Sequence, residues 1–196
     1  MESRTLKKTT NLIRELAISS IRQVEGNERR FILSFSSEEP YERWFGSEIL
    51  DHSEGAVDLS RLNEIGVVLF NHDRDEVLGK IVRAWVEGGR GNAEIEFDTD
   101  EFAETIYQKV KSGTLKGVSV GYIVAEWEEV AANKKSIDGR FTGPCSIAKR
   151  WIPHEISIVS VPADPTVGVG RELNDNQLGL DYYENIITIN KNKLGR

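Results

Sequence analysis

The chain has 196 residues, 39% of them hydrophobic and 29% charged, with a formal net charge of −7. That length supports one sizeable domain with its own core, and the acidic balance argues against gripping a phosphate backbone as the main task. Residues 67–70, the longest strongly apolar run, are far too few to cross a bilayer, and the single Cys145 excludes an internal disulfide and any thiolate zinc cluster. The N-terminus shows no apolar run of the secretory kind, so cytosolic synthesis is expected.

Residues 1–13 are polar and are expected to be flexible. Residues 15–24 mix strand and helix spacings. Turn chemistry at 25–28 and a strand-like run at 30–36 make a hairpin the preferred reading, with a short helix as the alternative. Tyr41, Trp44 and Phe45 are expected core anchors, and 44–50 a short strand. Asp51 and His52 fall in a polar loop, which reads as surface. Residues 66–71 read as a short buried strand that ends at the polar turn 72–75. Another strand is expected over 78–86, a Gly-rich hairpin link over 87–92, and a half-exposed strand at Ala93, Ile95 and Phe97.

The clearest helix follows. Asp98 or Asp100 can cap it, and Phe102, Ile106, Tyr107 and Val110 repeat at helical spacing before Gly113 stops it. A strand over 117–127 then carries Ser119, with Ser119, Gly121 and Ile123 on one face. Residues 131–146 read as a mobile loop, and 151–161 as the last core strand, ended by the Pro-Ala-Asp-Pro turn at 162–165. The polar tail from 172 to 196 is expected outside the domain. Many hairpin-linked strands with one helix among them predict an antiparallel-rich barrel or sheet with helices packed outside, of mixed α/β class.

Gly117-x-Ser119-x-Gly121 spells the nucleophile elbow of α/β-hydrolases, but that elbow needs a strand before the serine and a helix after it. Here the order is reversed. On the motif alone, Ser119 is a small residue where two backbones approach closely. Its companions raise the interest. His72 sits just past a buried strand, and an imidazole is the side chain most often used as a general base, although pairing with Asp73 or Asp75 is the plainer role. Glu155 opens an apolar strand, where a carboxylate needs a partner: the His72 imidazole, or in competition Lys149 or Arg150. His154 is expected to leave that strand on the opposite side from Glu155, so that only one of the two faces the serine. No histidine spacing matches the helical zinc-protease motif, and no metal is expected.

The ordered set Gly66-Val-Val-Leu-Phe-Asn-His72-Asp73, Leu78-Gly79-Lys80, Gly113-x-x-x-Gly117-Val-Ser119-Val-Gly121-Tyr122 and Glu155-Ile-Ser-Ile-Val-Ser-Val-Pro162-Ala163-Asp164-Pro165 resembles the caudovirus prohead protease family over residues 14–171. The resemblance implies a small β-barrel with surrounding helices, like the herpesvirus assemblins. It implies a serine endopeptidase that cuts scaffold, or the scaffold-like arm of the major capsid protein, and then itself, inside the procapsid in the bacterial host cytoplasm. By motif Ser119 becomes the nucleophile, His72 the base and Glu155 the third member, with His154 as runner-up. Main-chain N–H groups near Gly121, or an arginine, would hold the oxyanion. The family needs no cofactor. Capsid protein and scaffold become the expected partners, with neither nucleic acid nor membrane, and with a homodimer or homo-oligomer in the procapsid. A barrel without activity, serving assembly alone, is the main rival reading; a small-ester hydrolase is another. The polar tail suits removal by self-cleavage.

Overall fold

The computed structural model describes residues 12–16, 21–43 and 45–161. Trp44, the turn at 162–165 and the tail 172–196 lie outside them, as does the expected flexible N-terminus but for its last two residues. The elements in chain order are strands β1 (Leu12–Leu16), β2 (Arg22–Val24), β3 (Asn27–Ser37), β4 (Tyr41–Arg43) and β5 (Gly46–Leu50), helix α1 (Ser60–Ile65), strands β6 (Val67–Phe70), β7 (Asp73–Glu87) and β8 (Arg90–Phe97), helix α2 (Glu101–Lys111), and strands β9 (Gly117–Val130) and β10 (Cys145–Val159).

All ten strands join one sheet, in the order β1-β9-β10-β6-β7-β8-β3-β2. β10 lies at its centre. It pairs antiparallel with β9 along nearly its whole length, and its other edge takes β5 and β6 in parallel at its two ends. β4 pairs only with β5. The expected mixed α/β barrel with surrounding helices, of herpesvirus-protease type, is therefore corrected to an open mixed sheet. The terminal strands β1 and β2 do not pair, and without that pairing no barrel closes. Among the described residues there are only two helices, of 6 and 11 residues. Strands take most of the chain: 41–50 becomes β4 and β5, and β9 and β10 reach 14 and 15 residues.

The local reasons are legible. The expected hairpin at 15–36 forms only in part. β2 turns back onto β3 at Gly26, whose φ of 79° suits glycine, whereas β1 leaves to pair with β9. α2 starts where Asp100 accepts hydrogen bonds from the N–H groups of Phe102 and Ala103, both at 3.1 Å. It buries Ala103, Ile106, Tyr107 and Val110, while Phe102 is partly exposed with its ring edge-on to Phe70. The loop expected to be mobile over 131–146 is shorter and internally bonded, with Ser136 N–H donating to Phe141 O and Gly143 N–H to Lys134 O, both at 2.9 Å. The core lies against one face of the sheet, where Leu33, Phe35, Leu50, Leu78, Trp151, Ile156 and Ile158 are fully buried.

Candidate active site

In β9, Ser119 stands directly opposite Ser157 of β10, and Gly121 opposite Glu155. Strand alternation puts these four on one face, and sends Val118, Val120, Ile156 and Ile158 into the core. The imidazole comes from elsewhere. β6 runs parallel to β10 with Phe70 beside Ile158, so the turn after β6 arrives next to Ser157. That turn is Asn71-His72, with φ of 50° and 61°, the left-handed pair of a two-residue hairpin loop. Asparagine and histidine enter this region more readily than most side chains, but two such residues in succession without glycine mark a turn held by its surroundings. Asn71 N–H donates to Ile158 O at 3.0 Å, and Asn71 Oδ1 accepts from Ser160 N–H at 3.0 Å. The His72 N–H donates to Ser157 Oγ at 3.2 Å.

The side chains thus form a hydrogen-bonded line. His72 Nε2 lies 2.7 Å from Ser119 Oγ, and His72 Nδ1 lies 2.6 Å from Glu155 Oε1. With Nδ1–H donating to the carboxylate, Nε2 is left as the acceptor for the serine proton. Ser119 is fully buried and Glu155 nearly so, while part of the His72 side chain reaches solvent. A hydroxyl, an imidazole and a carboxylate in this order can move a proton off the hydroxyl and return it to a leaving group.

Sequence reading missed Ser157. Its hydroxyl donates to Glu155 Oε2 at 2.8 Å while accepting from the His72 main chain, so it ties the carboxylate to the histidine turn. The signal was present: Ser157 is two residues beyond Glu155 on one strand, hence on the same face. Gly121 has a different reason from the one its spacing suggested. A Cβ there would stand 2.3 Å from Glu155 Oε1, so the glycine makes room for the carboxylate.

The plainer roles are not taken up. Asp73 accepts from the Asp75 N–H, and Lys149 pairs with Asp51 and with Asp138. His154 departs from expectation. A register shift between Pro153 and Glu155 bulges the strand, and two residues then oppose Gly121. The His154 ring reaches within 2.9 Å of where a Gly121 Cβ would stand, so both neighbours lean toward that glycine. No hydrogen bond joins His154 to Ser119 or His72, and its buried Nδ1 has no partner. Burial, helped by Arg61, Arg74 and His72 and opposed by Glu155, lowers its pKa.

His52, expected at the surface, is buried. Its Nε2 lies 2.7 Å from Ser36 Oγ, its Nδ1 2.9 Å from Leu50 O, and its ring meets Trp151 edge-on at 5.4 Å. Burial pushes its pKa down to about 4. This second serine–histidine contact has a main-chain carbonyl where the first has a carboxylate, and it is sealed in the core.

The family model of the caudovirus prohead serine protease matches residues 32–179. A protein named major capsid protein, from Halomonas phage phiHAP-1, is 41% identical over 143 residues, which cover 71% of this chain and 23% of that protein. The chain thus spans less than a quarter of the length of this curated relative. No solved structure matches. The matched span contains the turn that carries His72, the strand that carries Ser119 and the strand that carries Glu155 and Ser157, and the chain belongs to the caudovirus prohead serine protease family.

Proposed function

We propose that the chain is a serine endopeptidase of phage prohead maturation, with Ser119 as nucleophile, His72 as general base and Glu155 as the group that orients the imidazole. The observation that carries this is the unbroken line of contacts, 2.7 Å from hydroxyl to ring and 2.6 Å from ring to carboxylate. Ser119 Oγ attacks the scissile carbonyl as His72 takes its proton. The imidazolium then protonates the leaving amine, and water, activated by the same ring, releases the acyl group. Glu155 holds the tautomer with Nδ1–H and stabilises the charged ring. Ser157 is a positioning residue that acts through Glu155. His154, without a bond to the ring or to the hydroxyl, is the weaker third member. Main-chain N–H groups near Gly121, or an arginine, would serve the oxyanion.

Family membership, with the likeness to part of a protein named major capsid protein, supports scaffold or capsid protein as substrate and the procapsid as the place of action. The rival is an assembly component that keeps the sheet without cutting, and the relative's name favours it. A fluorophosphonate probe should label wild-type protein on Ser119 and leave Ser119→Ala and His72→Ala unlabelled. In assembling particles Ser119→Ala should leave scaffold or capsid arm uncut, with turnover down about 10³-fold or more. Normal processing by Ser119→Ala would favour the rival.

A further inference from the structure

The Ser119 hydroxyl has a second neighbour besides His72. The main-chain carbonyl of Arg14, in β1, lies 3.1 Å from Ser119 Oγ. The hydroxyl has one proton. When that proton is given to His72 Nε2, a peptide carbonyl stands 3.1 Å from the nucleophilic oxygen with nothing between them. β1 runs antiparallel to β9, from Leu12 opposite Tyr122 to Leu16 opposite Val118. An extended segment lying on the nucleophile's strand, with one carbonyl at the hydroxyl, is the arrangement of a peptide bound by strand addition.

Three further observations separate this from an ordinary serine-to-backbone contact. Ser119 is fully buried in the folded chain, with β1 paired along its strand. β1 is an edge strand of five residues paired with β9 alone, which makes it the displaceable member of the sheet. The Arg14 side chain is only 1% exposed and fills a pocket of distinct chemistry. Its guanidinium donates to Glu39 O and lies 5.4 Å from the centre of the Tyr41 ring, with Tyr122, Glu48 and Arg43 around it. The fit is incomplete: Arg14 Nε and Nη1 and Glu48 Oε2 are all buried without partners. Buried polar groups are rarely left unpaired, and a seat whose carboxylate keeps an unused oxygen suits an occupant that comes and goes.

We infer that β1 lies in the lane of the peptide substrate, and that the pocket around Arg14, near the free Oε2 of Glu48, selects a basic side chain on the residue that donates the scissile carbonyl. The inference rests on the protease reading above. The chain's own Arg14 plugs the lane in the resting enzyme, and a substrate arm must displace β1 to be cut. The bond at risk within the chain is Arg14–Glu15. In that cut the Ser119 Oγ–carbonyl bond forms, the peptide C–N bond breaks, and the serine proton passes through His72 to the Glu15 nitrogen. Water then hydrolyses the ester to leave an Arg14 carboxylate.

The test uses wild-type protein and two peptides that differ only by arginine or alanine before the scissile bond, with fluorophosphonate labelling of Ser119 run alongside. A kcat/KM ratio of about 10²-fold for arginine over alanine supports the pocket, because a site built for a charged partner rejects an analogue without one. Arg14→Ala, which empties the seat, should speed labelling of Ser119 about tenfold by exposing the occupied lane, and Glu48→Gln should collapse the peptide ratio. Ser119 labelled, with a ratio near one in the wild type, overturns this inference and leaves the protease standing. Ser119 unlabelled in both wild type and Arg14→Ala overturns the protease, and this inference with it.

Discussion

Single side chains carry the heaviest consequences at Gly121 and His52. A methyl group on Gly121 would lie 2.3 Å from Glu155 Oε1, so the carboxylate must move away from His72. Gly121→Ala is expected to lower kcat about 10²-fold or more while the chain stays folded, checked by peptide turnover beside a thermal melt. His52 bears on stability. Its ordinary pKa of 6.5 falls to about 4 in the folded chain, so the unfolded chain binds the proton more readily. The stability it contributes is whole above about pH 6.5 and is lost as pH falls toward about 4, by roughly 3 kcal/mol. Burial sets this shift first; the hydrogen bond to Leu50 O works against it. Asp51, next in the chain, remains charged through that window. Burial opposes its ionisation, but hydrogen bonds from Lys149, Ser53 and Arg140 outweigh it and bring the pKa to about 2. Urea midpoints at pH 7 and pH 4.5 for wild type and His52→Gln check this, with the smaller drop expected in the variant. Sequence reading placed His52 at the surface because its neighbours are polar. The residues that bury it, Ser36 and Trp151, lie 16 and about 100 positions away, beyond the reach of any local pattern.

The element that brings His72 between Ser119 and Glu155 is the turn between β6 and β7. Its strand was legible from the apolar run, and its polar end from the residues that follow. Its conformation was not, because two successive left-handed residues without glycine depend on bonds with Ser157 of β10 and with Ser160 just beyond it. Asn71→Ala removes the acceptor for the Ser160 N–H and leaves a residue that resists φ of 50°. A loss of about 1–3 kcal/mol is expected, with kcat falling about tenfold as His72 loses its aim; a denaturant midpoint and a kcat measurement on one preparation check both. The bulge between Pro153 and Glu155 teaches a similar lesson. Alternation predicts that adjacent residues part company across the sheet, and one extra residue in the ladder undoes that for His154. The helix at 101–111 was readable throughout, since its cap, its apolar spacing and its stop are all local.

At the scale of the whole molecule, β10 organises the sheet, with β9 on one edge and β5 and β6 on the other. Amide hydrogen exchange should therefore be slowest in the parts of β10 paired on both sides, 146–148 and 156–158, and fastest in the terminal strands β1 and β2. Equal protection of β1 and β10 by exchange mass spectrometry would contradict the open order of strands. The apolar runs, the capped helix, the hairpin at 87–92 and the candidates Ser119, His72 and Glu155 could all be read from the chain, because each rests on residue type and near-neighbour spacing. Which strand lies beside which could not. Pairing across dozens of residues is fixed by packing of the whole sheet, and that packing left the barrel unclosed, sent β1 to the strand of Ser119 and brought Ser157 beneath the histidine.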